Sequence, residues 1–320
     1  MRRASTYSAV ASYALILLLV WAEARSHPIF VAGLGSHFHY ALASFAWLLA
    51  PLWFFGWGAG EWLRESIHSR IVRVFLPACL GIPYLLFDTP EIRWKVAVLL
   101  LVLPPVLATL LEFAHGAPKP IWQDVVVLMI LIAIFMLHWL AAAWPYPGLA
   151  ALPKLFVADL LLYLYVVLRR LDGVGYSFLP GAPAVSIGLR EWIFFLPFGI
   201  GLGFATGFIH FHPRVPSVIT IVGSIVITMV LVALPEEMLF RGMVQNLLET
   251  RLGRRTALLI ASLLFGLAHF NKGAIFNWRY VLLASIAGIF YGRAWRARRQ
   301  LLASVITHTA VDVVWALWFR

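Results

Sequence analysis

The sequence predicts an all-α, polytopic membrane protein, because apolar residues are abundant, charged residues are scarce, and the apolar residues occur in long runs. Of the 320 residues, 62% are hydrophobic and 12% are charged, whereas a soluble domain has about 45–50% apolar and about 25% charged residues. A soluble chain of this length could not bury so many apolar side chains. The composition therefore excludes a soluble enzyme, and equally a collagenous, disordered or disulfide-stapled protein.

A transmembrane helix needs roughly 20 predominantly apolar residues, and about eleven runs in the chain approach that length. We predict spans at 8–22, 38–59, 72–87, 95–113, 125–144, 154–168, 191–209, 216–234, 256–270, 280–296 and 301–319. The longest interruption, 169–190, is rich in glycine and proline, as is typical of a linker. We therefore expect an N-terminal transmembrane region of unknown role over 1–180 and a C-terminal helical core, which holds the functional site, over 190–320.

The basic residues indicate how the spans are oriented. The chain has 25 Lys and Arg against 14 Asp and Glu. If the N-terminus is cytoplasmic, sixteen of the basic residues fall in cytoplasmic segments and eight in segments outside. Because cytoplasmic loops carry an excess of Lys and Arg, this distribution favours a cytoplasmic N-terminus. Loop lysines and arginines that face the anionic cytoplasmic leaflet also explain the net charge of +11, so no nucleic-acid partner is expected.

The first apolar run has two interpretations. Arg2 and Arg3, the run that follows them, and the small residues around Glu23 are typical of a signal peptide with a cleavage site. In a polytopic chain, a retained first span is the simpler interpretation. Cleavage would leave the orientation of the other spans unchanged.

Seven ionisable residues lie inside apolar runs, and five of the seven fall in the last third of the chain. Such a residue costs about 2.5–3.5 kcal/mol at the centre of a span on insertion scales, so each is a candidate for function. We interpret His138 and Asp159, which lie apart from the others, as packing residues. The remaining five are Glu236, Glu237, His269, His308 and Asp312.

Three C-terminal segments each carry a pair of residues spaced i,i+4, which places both members on one helix face. The pairs are Glu237 with Arg241, Phe265 with His269, and His308 with Asp312. Glu237 precedes Arg241, the favourable order for a helical ion pair. Glu236 lies about 100° further round the helix and can point elsewhere.

The spacing also predicts where these helices meet. Glu236 and His269 lie fifteen and fourteen residues from the turn at 251–255, so an antiparallel hairpin brings both about 21–22 Å from it. On the next helix, Ala284, Gly288 and Gly292 recur every four residues. Such a stripe of small residues allows helix backbones to approach closely.

The segments Glu236-Glu237-x-x-x-Arg241, Phe265-x-x-x-His269 and His308-x-x-x-Asp312 resemble the motifs of the CPBP family. This family comprises CAAX prenyl proteases and bacteriocin-processing (Abi) intramembrane proteases. The resemblance covers about residues 190–320. It implies glutamate-dependent hydrolysis of a peptide bond within the membrane. The implied substrate is a peptide or protein in or at the bilayer, of prenylated or leader type, and the implied location is a bacterial cytoplasmic membrane.

The resemblance also implies roles for single residues. Glu236, assisted by His269, would activate a water molecule as general base. His308 and Asp312 would position or stabilise the tetrahedral oxyanion. Structural support would come from Glu237, Arg241 and Phe265. These roles suit a low-dielectric site, because hydrogen-bond donors stabilise an oxyanion most where water is excluded.

Asp312 departs from the family pattern, which usually has the neutral donor Asn at this position. An ionised Asp312 would repel an oxyanion, so it must be protonated, pair with His308, or have another role. Glu236, His269 and His308 could also bind zinc with an open coordination position. The HExxH spacing of many zinc proteases is absent from the sequence, which favours a mechanism without a cofactor.

Two other functions stay open at this stage. A catalytically silent relative, acting as a membrane scaffold or immunity factor, would keep its phenotype in a Glu236→Ala variant. A proton-coupled transporter would use Glu236, Asp312 and the histidines as a relay. Against the transporter, the two halves of the sequence lack a matched pair of Gly/Pro-broken helices.

Overall fold

The computed structural model describes residues 3–26, 35–86, 94–114, 117, 120–137, 139–140, 143–144, 149, 151–178, 183–273 and 276–319. Within these ranges the regular elements are helices, as the sequence predicts. The chain divides into two compact units, Met1–Leu171 and Asp172–Arg320.

The N-terminal unit consists of helices packed around leucine-rich faces. The helices are α1 (Arg3–Ser26), α2 (Phe38–Gly56), α3 (Ala59–Ser66), α4 (Arg70–Phe75), α5 (Ile82–Leu86), α6 (Trp94–Glu112), α7 (Trp122–Met136) and α8 (Ala151–Leu168). Helix α8 is the most deeply buried of the apolar helices. It carries Asp159, whose side chain is buried beside the backbone of Leu52. His138, the other residue interpreted as packing, lies outside the described residues.

Two ion pairs join helices within the N-terminal unit. Arg169 Nε lies 2.8 Å from Asp124 Oδ1, and both side chains are buried. Arg73 Nη2 lies 2.5 Å from Glu112 Oε1. Because a buried charge is tolerated when it is paired, these contacts explain how the unit accommodates four ionised groups among apolar helices.

The described part of the C-terminal unit contains five helices: α9 (Pro183–Ala205), α10 (Val218–Leu252), α11 (Arg254–Leu267), α12 (Trp278–Arg298) and α13 (Leu301–Phe319). Helix α12 packs against α9, α11 and α13 and so lies at the centre of this unit. Helix α9 begins at Pro183, which suits the first helical position because proline lacks an N–H group there. The predicted linker, 169–190, is therefore too long at its C-terminal end.

Helix α10 carries the glutamates and has 35 residues. At 1.5 Å per residue it is about 52 Å long. It continues through residue 234, where the sequence analysis ended a span. Two π-helical stretches, Met229–Ala233 and Met238–Gln245, flank the α-helical turn Leu234–Glu237. Pro235 interrupts the regular hydrogen-bond ladder of this helix, and π-helical turns of this kind are frequent at functional sites.

Glycines bring the helices of this unit into close contact. A Cβ atom at Gly266 of α11 would lie 1.9 Å from Ser285 Oγ and 2.5 Å from Val281 O, both of α12. A Cβ atom at Gly288 would lie 3.1 Å from Ser262 Cα, and one at Gly292 would lie 2.4 Å from a Leu258 methyl group. The close packing that the small-residue stripe predicts is confirmed.

By length and apolarity, six of the described helices could cross a membrane: α2, α6, α8, α9, α10 and α13. Two shorter apolar stretches, Thr6–Ala22 and Trp122–Phe135, accompany them. The chain is therefore a multi-pass helical protein, but the count of about eleven spans is not confirmed. The predicted span 72–87 breaks into short helices where Pro77, Gly81 and Pro83 interrupt it. The predicted spans 256–270 and 280–296 are not among the six. Helix α11 has only 14 residues, and α12 carries four arginines.

Candidate active site

The residues of the three sequence motifs come together inside the C-terminal unit. Glu236 and Glu237 lie on α10, His269 on the turn that ends α11, and His308 and Asp312 on α13. Four of these side chains are buried, and Asp312 is 28% exposed. The carboxylates of Glu236 and Glu237 and the imidazoles of His269 and His308 are thus enclosed by the protein. The carboxylate of Asp312 is partly exposed.

His308 lies between three carboxylates. Its Nδ1 atom is 2.8 Å from Glu237 Oε1, a hydrogen bond in which the imidazole N–H donates. Its Nε2 atom is 3.5 Å from Asp312 Oδ2 and 3.9 Å from Glu236 Oε2. The Ser304 hydroxyl donates to the other oxygen of Glu237. The orientation of the His308 ring is therefore set through Nδ1, while Nε2 faces the carboxylates of Glu236 and Asp312.

Glu237 contacts two further residues besides Arg241, its predicted partner. The expected ion pair is present, since Arg241 Nε lies 3.2 Å from Glu237 Oε2, and Arg241 Nη2 donates to Gly288 O over 3.2 Å. The same carboxylate also binds His308 and Ser304. Interpreting Glu237 as a brace for α10 was therefore incomplete, because it ties α10 to α13.

His269 is held by its own helix. Its Nδ1 atom lies 2.8 Å from the carbonyl oxygen of Phe265. Because a carbonyl oxygen can only accept, Nδ1 carries the proton and Nε2 is the unprotonated nitrogen of the neutral ring. The ring lies 4.7 Å from that of Tyr280 and interacts electrostatically with Glu236. His269 can therefore accept a hydrogen bond on the side away from its helix.

Phe265 lies at the centre of the ring contacts in the site. Its ring centroid is 4.9 Å from that of His269 and 5.5 Å from that of His308. The Arg241 guanidinium lies 4.8 Å from the same centroid. On the other side of His308, the Tyr291 ring stacks at 4.6 Å with an interplanar angle of 14°. These rings exclude water from the buried groups and fix both imidazoles.

A cavity of about 100 Å³ borders this group of residues. Its polar lining is supplied by His269, Tyr280, Tyr291, His308 and Asp312. The remaining walls are mostly apolar, with six aromatic side chains among them, and come from α9, α11, α12, α13 and the segment that contains Phe208 and Ile209. Both histidines and Asp312 therefore open onto one apolar space, and Glu236 lies 3.9 Å from His308 Nε2.

Four residues of this site were missed by the sequence analysis: Ser304, Tyr280, Tyr291 and Lys272. Ser304 lies four residues before His308, so helical spacing could have placed it on the same face. Lys272 follows His269 by three residues in the turn after α11. Tyr280 and Tyr291 carried no signal, because aromatic residues are common throughout this chain.

Glu236, His269 and His308 are also the candidate zinc ligands of the sequence. Among the residues that the structure describes, no group of three His, Cys, Asp or Glu side chains is arranged to hold a metal ion. The Nδ1 atoms of both histidines are engaged by protein acceptors, Phe265 O and Glu237. The Nε2 atom of each ring stays available, an arrangement that metal-binding histidines share, since they donate their other ring N–H to a carbonyl or carboxylate oxygen.

The fold and site define a multi-pass helical membrane protein with carboxylates and imidazoles clustered beside an apolar cavity. Residues 217–314 match the model of a family described as type II CAAX prenyl endopeptidase Rce1-like. The match contains all three motifs and confirms the resemblance to CAAX proteases, over less than a third of the chain. No curated protein and no solved structure matched the chain.

Proposed function

We propose that this protein is an intramembrane endopeptidase in which Glu236 activates a water molecule. The observation that carries the proposal is the buried group of Glu236, His269 and His308 beside an apolar cavity. The family match supports a CAAX-type protease. The substrate is a peptide or protein in or at the membrane, of prenylated or leader type, whose apolar part occupies the cavity.

The reaction begins with a water molecule between Glu236 and His269. Glu236 takes a proton from this water, and the hydroxide attacks the carbonyl carbon of the scissile bond. The C–N bond then breaks, and the protonated Glu236 returns its proton to the leaving amine. His269 accepts a hydrogen bond from the water at Nε2 and orients it, since its Nδ1–H already donates to Phe265. General base catalysis of this kind contributes about 10²–10⁴-fold to a rate.

His308 stabilises the negative charge that develops on the carbonyl oxygen. With Nδ1–H bound to Glu237, a protonated His308 donates to the oxyanion through Nε2. A donor aimed at an oxyanion in a water-poor site contributes about 10²–10³-fold. Asp312, 3.5 Å from Nε2, accepts this N–H before the substrate arrives. Of the roles left open for Asp312, we thus favour pairing with His308.

The test compares wild type with Glu236→Gln and His269→Ala after purification in detergent. A prenylated peptide, a leader peptide and a membrane-anchored protein serve as substrates. We expect wild type to cleave at least one of them and both variants to lose about 10²-fold or more of kcat. Asp159→Asn, which alters a buried acid of the N-terminal unit, is the matched control and should retain activity. Equal cleavage by wild type and both site variants would refute the proposal and favour a scaffold.

The same assay tests whether a metal takes part. Because the site residues do not form a metal-holding group, we expect a chelator to leave the cleavage rate unchanged. Loss of activity in the chelator, followed by recovery on adding zinc, would instead favour the zinc mechanism, in which Glu236, His269 and His308 are the candidate ligands. A higher melting temperature of the metal-free protein after zinc is added would support the same conclusion.

A further inference from the structure

Two arginines on neighbouring helices of the C-terminal unit share one buried glutamate. Glu191 of α9 is 1% exposed, and its Oε1 atom accepts from Arg190 Nη2 over 2.9 Å and from Arg190 Nε over 3.2 Å. Its Oε2 atom lies 3.0 Å from Nε of Arg293, on α12. One carboxylate cannot neutralise two guanidinium groups, so one positive charge is left over where these helices meet.

Both guanidinium groups can be reached from outside the unit. The side chains of Arg190 and Arg293 are 51% and 42% exposed. In the contacts with Glu191, Arg190 uses Nε and Nη2, and Arg293 uses Nε. Since a guanidinium carries further N–H donors, these contacts leave donors on both residues for an anion. The planar N–H pairs of arginine match the oxygens of a phosphate group particularly well.

An apolar, aromatic surface continues from the two arginines. Arg190, Phe194 and Phe198 follow one another at i,i+4 spacing along α9, and the two phenylalanines are 48% and 51% exposed. The Arg293 guanidinium lies 5.9 Å from the centre of the Phe194 ring and 5.3 Å from that of the Phe290 ring. Because α9 is long and apolar enough to cross a membrane, we expect this stripe to face acyl chains. A cationic end that continues into an apolar stripe matches the two parts of a phospholipid.

The arginines lie near one end of both helices. Arg190 is about 11 Å from the first residue of α9, and Arg293 is about 8 Å from the last residue of α12. Long arginine side chains near helix ends extend to the headgroup region of a bilayer. Arg296 Nη1 donates to Arg254 O over 2.9 Å, so this end of α12 lies beside the start of α11. The basic residues predict that this end is cytoplasmic, and the cytoplasmic leaflet carries anionic lipids.

We propose that Arg190 and Arg293 together bind the phosphate group of an anionic phospholipid, whose acyl chains lie along Phe194 and Phe198. Glu191 holds both guanidinium groups where the two helices meet, so the site is formed before the lipid binds. A zwitterionic phospholipid binds less well, because its ammonium group is repelled by the remaining positive charge. This inference concerns the outer surface of α9 and α12 and does not depend on the proposed function.

The test measures the melting temperature of the purified full chain in detergent with phosphatidylglycerol, phosphatidylcholine or glycerol phosphate added. A ligand that binds the folded state raises the melting temperature, so we expect phosphatidylglycerol to stabilise wild type more than the other two do. In an Arg190→Gln/Arg293→Gln variant, half-maximal stabilisation should require at least about tenfold more phosphatidylglycerol. Arg279→Gln, which removes an exposed cation stacked on Trp278 near the other end of α12, is the matched control and should respond as wild type.

A second variant removes the buried charge that the double variant leaves without partners. Adding Glu191→Gln to the two arginine substitutions restores electrical neutrality, and this triple variant should also require about tenfold more phosphatidylglycerol. Equal stabilisation of wild type and the triple variant would overturn the inference, as would equal stabilisation of wild type by the two phospholipids. Stabilisation by glycerol phosphate as large as that by phosphatidylglycerol would indicate a site for soluble phosphates and would overturn it as well.

Discussion

At the scale of single residues, Glu237 holds the site together. One of its oxygens accepts from His308, and the other lies beside both Arg241 and Ser304. The first contact orients the imidazole, and the second neutralises the carboxylate. Because α10 and α13 are joined through this carboxylate, its loss should affect both the stability of the unit and the chemistry.

We expect Glu237→Gln to abolish most of the cleavage activity and to lower the melting temperature. The amide would turn its N–H groups toward Arg241 or His308, which are themselves donors, and breaking a buried ion pair costs about 3–5 kcal/mol. Ser304→Ala, which removes one hydrogen bond to the same carboxylate, should cost about 1–3 kcal/mol. Activity assays and thermal unfolding in detergent measure both effects. Wild-type behaviour of Glu237→Gln would contradict the role of this carboxylate.

Of the contacts that Glu237 makes, the one to Arg241 could be predicted from the sequence and the one to His308 could not. The pair of Glu237 and Arg241 could be predicted, because the spacing within a helix fixes which side chains are neighbours. The bond of Glu237 to His308 could not, because 71 residues separate the two. It depends on how α10 and α13 pack.

At the scale of elements, glycines set the distance between α11 and α12. A Cβ atom at Gly266 would come within 2.5 Å of the carbonyl oxygen of Val281, a backbone atom that cannot move aside. The backbones approach because the residue has no side chain. His269 follows Gly266 by three residues, so a shift of α11 would carry His269 with it.

We expect Gly266→Ala to lower activity at least tenfold, because separating two packed helices by about 1 Å misplaces catalytic groups. Its melting temperature should fall as well. The matched control is Gly223→Ala on α10, where a Cβ atom would have no neighbour within 4 Å and where alanine favours the helix by about 1 kcal/mol. Cleavage by Gly266→Ala at the wild-type rate would show that the contact does not position His269.

The helix boundaries predicted from the sequence are accurate for long apolar runs and wrong where proline or glycine interrupts a run. Long apolar runs identified α2, α6, α8 and α13 nearly at their observed limits. The predicted span at 72–87 failed, because prolines and a glycine divide that stretch into short helices. The predicted boundary at 234 failed for the opposite reason, since Pro235 distorts helix α10 without ending it.

At the scale of the whole molecule, the distribution of arginine predicts orientation. Arg251 at the end of α10 and Arg254 and Arg255 at the start of α11 lead us to expect this junction on the cytoplasmic side, because cytoplasmic segments are rich in Lys and Arg. Val215, at the opposite end of α10, is 99% exposed. The length of α10 is sufficient to place these two ends on opposite sides of a bilayer.

We expect a membrane-impermeant thiol reagent to label Val215→Cys in intact cells and Arg255→Cys only after permeabilisation. Both variants are made after replacing Cys79, the one native cysteine, by serine. Mass shift on a gel reports labelling. The reverse pattern would contradict the cytoplasmic location that the arginines predict for the junction of α10 and α11.

The sequence by itself determined that this chain is a multi-pass helical membrane protein, because composition and apolar run length depend only on residue order. The i,i+4 pairs could also be read from the sequence, since their spacing is a property of a single helix, and the resemblance of these motifs to CAAX proteases implied one site containing Glu236, His269, His308 and Asp312. Only the tertiary structure decided that His308 lies among three carboxylates, with Glu237 bound at Nδ1 and the Tyr291 ring stacked on the imidazole. Such contacts join residues far apart in the chain, and they form only when helices pack in three dimensions.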